Sequence, residues 1–247
     1  MLLGKHALQL ASSSRVIIFG IGGVGSWCAE GLIRSGIHEL TIVDFDHICI
    51  TNVNRQLHAT VNSIGRSKTE ALKDRLLAIN PSANITAIQT TYTEKNSDSF
   101  KLDTYDYIID AIDSLQHKIH LIRTATKTKA ELFSSMGAAL RLDPTSVQVA
   151  EFWNVTGCPF ARRIRKVIRK GELPAKKFFC VFSEKIVESE QFNNTTSEMK
   201  DDNTLINGSI AHMTAIFGFT IAGLVIESIY ERSKIVELSS GCSEQSN

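Results

Sequence analysis

Apolar and polar positions along the 247-residue chain change period repeatedly, from short β-branched runs to stretches with helical spacing. Arg15–Gly20 is a β-branched run that enters a glycine turn, and Val24–Ser35 has helical spacing closed by Gly36, which predicts strand, turn and helix. Strands are predicted at Leu40–Asp44, Ile85–Thr90, Tyr107–Asp110, Glu131–Met136 and, after the Asp143-Pro144 turn, Val147–Trp153. Helices are predicted at Ser67–Ile79, stopped by Asn80-Pro81, and at Leu115–Thr126. Such alternation predicts an α/β, Rossmann-like fold: a mainly parallel sheet with helices on both faces.

After Trp153 the character changes. A basic stretch, Arg162–Lys177, precedes a β-like run at Phe178–Val187, a polar segment at Glu188–Asn207 expected as a loop, an apolar helix at Gly208–Tyr230 and a loose tail at Ser239–Asn247. The expected organisation is a core over residues 1–153 and a C-terminal elaboration of the same domain over 154–247. Inside the apolar helix, Met213–Ile226 is a run of roughly 14 residues, short of the roughly 18 that suggest a membrane span, so a buried helix and no stable membrane insertion are expected.

Composition adds that 43% hydrophobic and 21% charged residues suit a chain with a full core, and that a net charge of +1 leaves any nucleic-acid binding to a local patch. The five cysteines are scattered, with no C-x-x-C pair. That argues against a disulfide framework and a four-cysteine zinc site, and points to reduced cytoplasm.

The chemistry begins at Gly20-Ile-Gly-Gly-Val-Gly25. Glycines Gly20, Gly22, Gly23 and Gly25 permit a tight reversal, and the helix that follows aims free N–H groups at an anion. Asp44 ends the next strand about 20 residues on, where a carboxylate can hold ribose hydroxyls. The turn alone admits a dinucleotide. Asp46, Asn52, Arg55, Gln56 and Lys68, crowded just past the second strand, suit a triphosphate that reacts at its α-phosphorus. Asp110 and Asp113 flank the end of the fourth strand, where a carboxylate can hold Mg²⁺ on the leaving pyrophosphate. Singly, each has a plain structural alternative, as a helix cap or a solvated charge; together and in this order they describe ATP and Mg²⁺ chemistry.

The strings Gly20–Gly25, Asp44-Phe-Asp46, Asn52-Val-Asn-Arg-Gln56, Gly65-Arg-Ser-Lys68 and Asp110-Ala-Ile-Asp113-Ser114 resemble the ubiquitin-activating-enzyme-like (ThiF-type) adenylating family. The resemblance implies that Asp44 holds the ribose, that Asn52, Arg55 and Lys68 touch the phosphates, and that Asp113 serves the metal. Wider strings, Asn54-Arg-Gln-Leu-His58, Asp143–Gln148, Cys180-Val-Phe-Ser183 and Thr214–Phe219, are similar to the branch that cyclises the threonylcarbamoyl group of modified adenosine in tRNA with net loss of water. It implies Arg55, Lys68 and Asp113 as catalytic residues, a tRNA substrate, a homodimer, and contact with sulfur-transfer proteins. Relatives carry an arginine ahead of the first helix; Met1 stands there, with Lys5, His6 and Arg15 nearest.

Arg162, Arg163, Arg165, Lys166, Arg169 and Lys170 recur at helical spacing and form a candidate strip for tRNA phosphates. Cys180, set in an aromatic run, reads as a buried, inert thiol. Three other functions remain open: a sulfur-carrier adenylyltransferase, a dinucleotide-dependent oxidoreductase, which leaves Arg55, Lys68 and Asp113 without a task, and a non-catalytic nucleotide- or tRNA-binding relative.

Overall fold

A computed structural model describes residues 2–187 and 208–241, with side chains through Ile235. The polar segment at 188–207, Met1 and residues 242–247, with Cys242, lie outside the described residues. In chain order the elements are α1 (Gly4–Ser13), β1 (Arg15–Phe19), α2 (Gly23–Arg34), β2 (Glu39–Val43), α3 (Lys68–Ile79), β3 (Asn84–Ile88) and β4 (Tyr107–Asp110). Then follow α4 (Leu115–Ala125), β5 (Glu131–Ser135), β6 (Val147–Glu151), α5 (Pro159–Ile168), β7 (Phe179–Ser183) and α6 (Ala211–Gly241).

One seven-stranded sheet runs β3-β2-β1-β4-β5-β7-β6, parallel throughout except for β6 against β7. Its inner strands β1, β2, β4, β5 and β7 are buried on both faces, as helix-covered strands must be, while the edge strands β3 and β6 are partly exposed. Along β1, Val16 and Ile18 face the layer containing α2 and α6, while Ile17 and Phe19 face the layer of α4 and α5. The chain winds outward from β1 through β2 to β3, then returns to begin again at β4, beside β1. That reversal opens a crevice beyond the carboxyl ends of β1 and β4, where open α/β sheets bind ligands. Register sets the crevice floor: Val43, Phe19, Asp110, Ser134 and Cys180 form one row across five strands.

Glycine is required at two points of the first turn. Gly20 has φ +83°, and a Cβ there would stand 2.7 Å from the Ala111 carbonyl oxygen. A Cβ on Gly25 would fall 1.9 Å from the Gly20 carbonyl oxygen, so the first turn of α2 rests directly on the turn before it.

Several boundaries differ from expectation. Helix α1 precedes the first predicted strand. The strand after Asp143-Pro144 stops at Glu151, and Phe152–Asn154 form a 3₁₀ turn capped by the Glu151 carboxylate. Strand β7 is shorter than the run Phe178–Val187 and lies between β5 and β6, so β6 has its pairing partner in the C-terminal part of the chain. Helix α6 continues through Gly241, past Tyr230 and into the stretch expected as a tail. It is long and apolar enough to cross a membrane, yet its i,i+4 stripe Met213, Phe217, Ile221, Val225 and Ile229 is buried within the core that also holds Cys28, Ala29 and Leu32 of α2.

Replacing Gly25 by alanine is expected to lower unfolding free energy by about 2 kcal/mol or more, because backbone cannot yield the space. Gly223→Ala in α6, where an added Cβ meets nothing within 4 Å, should be neutral or stabilising by up to about 1 kcal/mol. Urea denaturation of both variants checks the pair.

Candidate functional site

A cavity of about 730 Å³ fills the crevice. Gly20, Gly22, Gly23 and Val24 line it where α2 begins, and the turn is closed by the Gly20 N–H donating to the Val43 carbonyl at 2.8 Å. Gly25 does not line the cavity; its task is the close packing described above. The unpaired N–H groups of the first turn of α2 and its dipole favour an anion at this end.

Asp44, on the extension of β2, is 8% exposed. Its Oδ2 accepts from the Ile21 N–H at 2.9 Å and its Oδ1 from the Asp46 N–H at 3.0 Å, which orients it at the glycine turn. Burial raises its pKa, opposed by the Lys68 charge. Lys68 opens α3, almost fully buried, and its Nζ meets Asp46 Oδ2 at 2.6 Å. Asn52 and Gln56 are buried in the turn between β2 and α3; Asn52 Oδ1 accepts from the Cys49 N–H at 3.0 Å. The Gln56 Oε1 is buried and unpartnered, within a side chain that lines the cavity beside Gly22. Arg55 is half-buried, its Nη1 held by the Thr51 carbonyl at 2.7 Å and by Asn54 Oδ1 at 3.0 Å. Its carbonyl accepts from Trp27 Nε1 at 3.1 Å and Thr214 Oγ1 at 3.3 Å, which ties this turn to α2 and α6. Asp113 is exposed and lines the cavity just before α4.

Asp110 departs from the ligand-binding role expected of it. It is fully buried and absent from the cavity wall. Its Oδ2 pairs with Lys118 Nζ at 2.8 Å and accepts from Ser134 Oγ at 2.7 Å, its cross-strand neighbour, while Oδ1 accepts from the Ile112 N–H at 3.2 Å. Lys118 also donates to the Asp110 and Ile112 carbonyls, at 3.4 and 3.1 Å. The pair therefore braces the turn that carries Asp113. Lys118 went unnoticed in the sequence, although a lysine among Leu115, Ile119 and Ile122 on an apolar helical stripe is itself a signal. Other cavity residues missed from sequence are Thr90, Tyr92, His117 and Arg141, supplied by loops and helix ends that no motif marks; Thr214, which opens one of the quoted strings, lines the cavity as well.

The first part of the basic stretch forms a helix, α5, anchored by buried Ala161, Ile164 and Ile168, and Arg169 and Lys170 lie in the turn after it. Arg162, Arg163, Lys166, Arg169 and Lys170 are exposed. Arg163 lines the cavity; Arg165 is turned back, its Nη1 donating to the Phe152 carbonyl at 3.1 Å; Arg169 stands over the Trp153 ring at 5.5 Å. Cys180 is fully buried, its thiol pushed far up by burial. His58 is buried with both ring nitrogens unpartnered, and burial depresses its pKa to about 4.

Compared with known proteins, residues 1–241 match the ThiF family. A tRNA threonylcarbamoyladenosine dehydratase of Escherichia coli is 33% identical over 94% of this chain and 92% of its own. One of Haemophilus influenzae is 36% identical over 92% and 89%. The crystal structure of the E. coli tRNA N6-threonylcarbamoyladenosine dehydratase TcdA in complex with ATP superposes with a TM-score of 0.83 at 31% identity, covering 94% of this chain and 92% of that one.

Two outcomes follow from the buried groups. Lys118→Met leaves the Asp110 carboxylate uncompensated and should cost about 3–5 kcal/mol, most of it recovered in the double variant with Asp110→Asn. For His58 the folded-state pKa lies below the unfolded value near 6.5, so the unfolded chain binds the proton first. Its contribution is complete above pH 6.5 and is lost as pH falls toward 4, by at most about 3 kcal/mol. Denaturant melts at pH 7 and pH 4 should show that loss, and His58→Leu should remove this part of it.

Proposed function

The chain belongs to the ThiF family, and from that premise we propose that it uses ATP to adenylate and cyclise the threonylcarbamoyl group of N6-threonylcarbamoyladenosine in tRNA. The observation that carries the reading is the convergence of the α2 N-terminus, Asp44, Arg55, Lys68 and Asp113 on one cavity at the switch point of the sheet. A carboxylate is a poor electrophile, and adenylation supplies AMP as its leaving group.

In this reading the α2 N–H groups and Arg55 hold the triphosphate, Lys68 exchanges Asp46 for a phosphate oxygen, and Asp44 receives the ribose hydroxyls. The substrate carboxylate attacks the α-phosphorus; the bond to pyrophosphate breaks and the acyl-adenylate forms. A nitrogen of the same side chain then attacks the acyl carbon, loses its proton and expels AMP. Cations fixed before the reaction stabilise the charge that builds on the phosphorus oxygens. No group of three His, Cys, Asp or Glu is assembled for a metal among the described residues. Nucleotide-borne Mg²⁺ needs only one or two carboxylates, with phosphates and water supplying the rest, and Asp113 at the cavity wall fits that demand. When bound, the ion neutralises charge on the leaving pyrophosphate.

The exposed cations Arg162, Lys166, Arg169 and Lys170 continue from the α5 end that lines the cavity, and we assign them to the tRNA phosphates. Arg165, folded onto Phe152, braces the helix. We further propose a homodimer, and a cytoplasmic protein consistent with the free thiols of Cys28, Cys49, Cys158 and Cys180.

Nucleoside mass spectrometry of threonylcarbamoylated tRNA, incubated with the protein, ATP and Mg²⁺, tests the reading. The modified nucleoside should lose one water only when ATP is present, and Arg55→Ala or Asp113→Ala should lower kcat/KM by about 100-fold or more. An unchanged nucleoside with ATP still bound would overturn it and favour a carrier-protein adenylyltransferase or a non-catalytic relative.

A further inference from the structure

Several helix N-termini border the cavity, those of α2 and α5 among them. α2 presents Gly22, Gly23 and Val24, and α5 presents Pro159 and Phe160. The proposed reaction places the triphosphate at α2 and leaves α5 without a ligand. Beside the α5 terminus lies a cation that the reaction has not used. Arg141 is 5% exposed and lines the cavity. Its Nε donates to the Ser183 carbonyl at 3.1 Å and its Nη1 to the Leu140 carbonyl at 3.4 Å, and Cys158, the N-cap residue of α5, lies near it. Neutral carbonyls satisfy hydrogen bonds without cancelling charge. Among the described residues Arg141 forms no ion pair with a carboxylate, an expensive arrangement for a buried cation unless an anion arrives.

Arg163 adds a second positive charge. It stands one helical turn beyond Pro159 and lines the same cavity, although most of the basic residues of α5 do not. The carboxylates that line the cavity, Asp44, Asp46 and Asp113, follow β2 and β4; the lining segments Ser135–Arg141 and Cys158–Arg163 contribute none. One part of the cavity is therefore cationic on three counts: a buried arginine, an exposed arginine and a helix N-terminus.

We infer that Arg141, Arg163 and the N-terminus of α5 form a second anion subsite, separate from the triphosphate site, that receives the carboxylate of the acyl substrate. The inference rests on the proposed function. It gives the enzyme a means to hold two anions in one cavity, each on its own helix terminus and its own arginine, so that their mutual repulsion is offset before they react. Phe160, Met136 and Ile186 complete this part of the cavity with apolar surface, which limits the water that competes for the carboxylate.

The test is equilibrium binding, in the presence of α,β-methylene ATP, of two anticodon stem-loops. One carries N6-threonylcarbamoyladenosine; the other carries the same nucleoside with its carboxylate converted to a primary amide. Wild-type protein should bind the carboxylate form about 10- to 100-fold more tightly, as expected for a lost charged hydrogen bond. Arg163→Met, at an exposed position, and Arg141→Lys, which keeps the charge but loses the fork, should each erase most of that preference. Both should leave affinity for the amide form and for the nucleotide within about twofold of wild type. Equal affinity of wild-type protein for the two stem-loops would overturn the subsite. So would an Arg163→Met variant that weakens both forms equally, which would move Arg163 to the RNA backbone. Turnover of the carboxylate stem-loop with ATP is measured in parallel: its absence in wild type overturns the proposed function and the subsite together, whereas turnover without discrimination overturns the subsite alone.

Discussion

The close approach of α2 to the turn that precedes it governs the rest of the structure. With no side chain at position 25, the first turn of the helix rests on the Gly20 carbonyl, and the free N–H groups of α2 face the ends of β1 and β4 instead of standing off from them. Everything placed around the cavity is measured from that point. Asp44 is oriented by the Ile21 N–H inside the same turn. The segment carrying Arg55 is tied to α2 through Trp27, and the long helix α6 meets the start of α2 at Thr214, whose side chain occupies the space a Cβ on Gly23 would need. A displacement of α2 would move the anion site, the ribose carboxylate and the Arg55 segment together.

The second organising element is electrostatic. Asp110 and Lys118 form a fully buried pair beneath the cavity, where the fold carries the cost of desolvating both charges. What the pair provides is geometry: one lysine spans two carbonyls and a carboxylate across the β4–α4 turn, and Asp113 projects from that turn into the cavity. This division of labour, with one aspartate spent on the fold and its neighbour presented to ligand, accounts for two acidic residues three positions apart with opposite exposures.

Much of the nucleotide half of the site was legible in the sequence because it is local. The glycine turn, Asp44, and the run from Asn52 to Lys68 lie within one strand-helix-strand unit and the segment after it, so one stretch of chain delivers them all to the cavity. The parallel sheet was legible for the same reason: the apolar runs at Arg15–Phe19 and Tyr107–Asp110 are too short for helices and buried on both faces. What escaped depends on long-range pairing. No spacing announces that β7 inserts between β5 and β6, that α6 packs along α2, or that it continues past Tyr230. Asp110 was expected at the ligand beside Asp113 because the residue that withdraws it, Lys118, acts from the next helix. Arg141 was invisible for a related reason: its burial arises from β7 and the start of α5, both distant in sequence.

The central claim is that ATP activates the substrate carboxylate by adenylation, and the fate of the carboxylate oxygens tests it most directly. With threonylcarbamoyladenosine labelled by ¹⁸O in both carboxylate oxygens, single-turnover reaction followed by mass spectrometry of the nucleotide products should find one labelled oxygen in AMP and none in pyrophosphate. Label retained wholly in the nucleoside, or found in inorganic phosphate alongside ADP, would contradict adenylation and with it the assignment of the cavity.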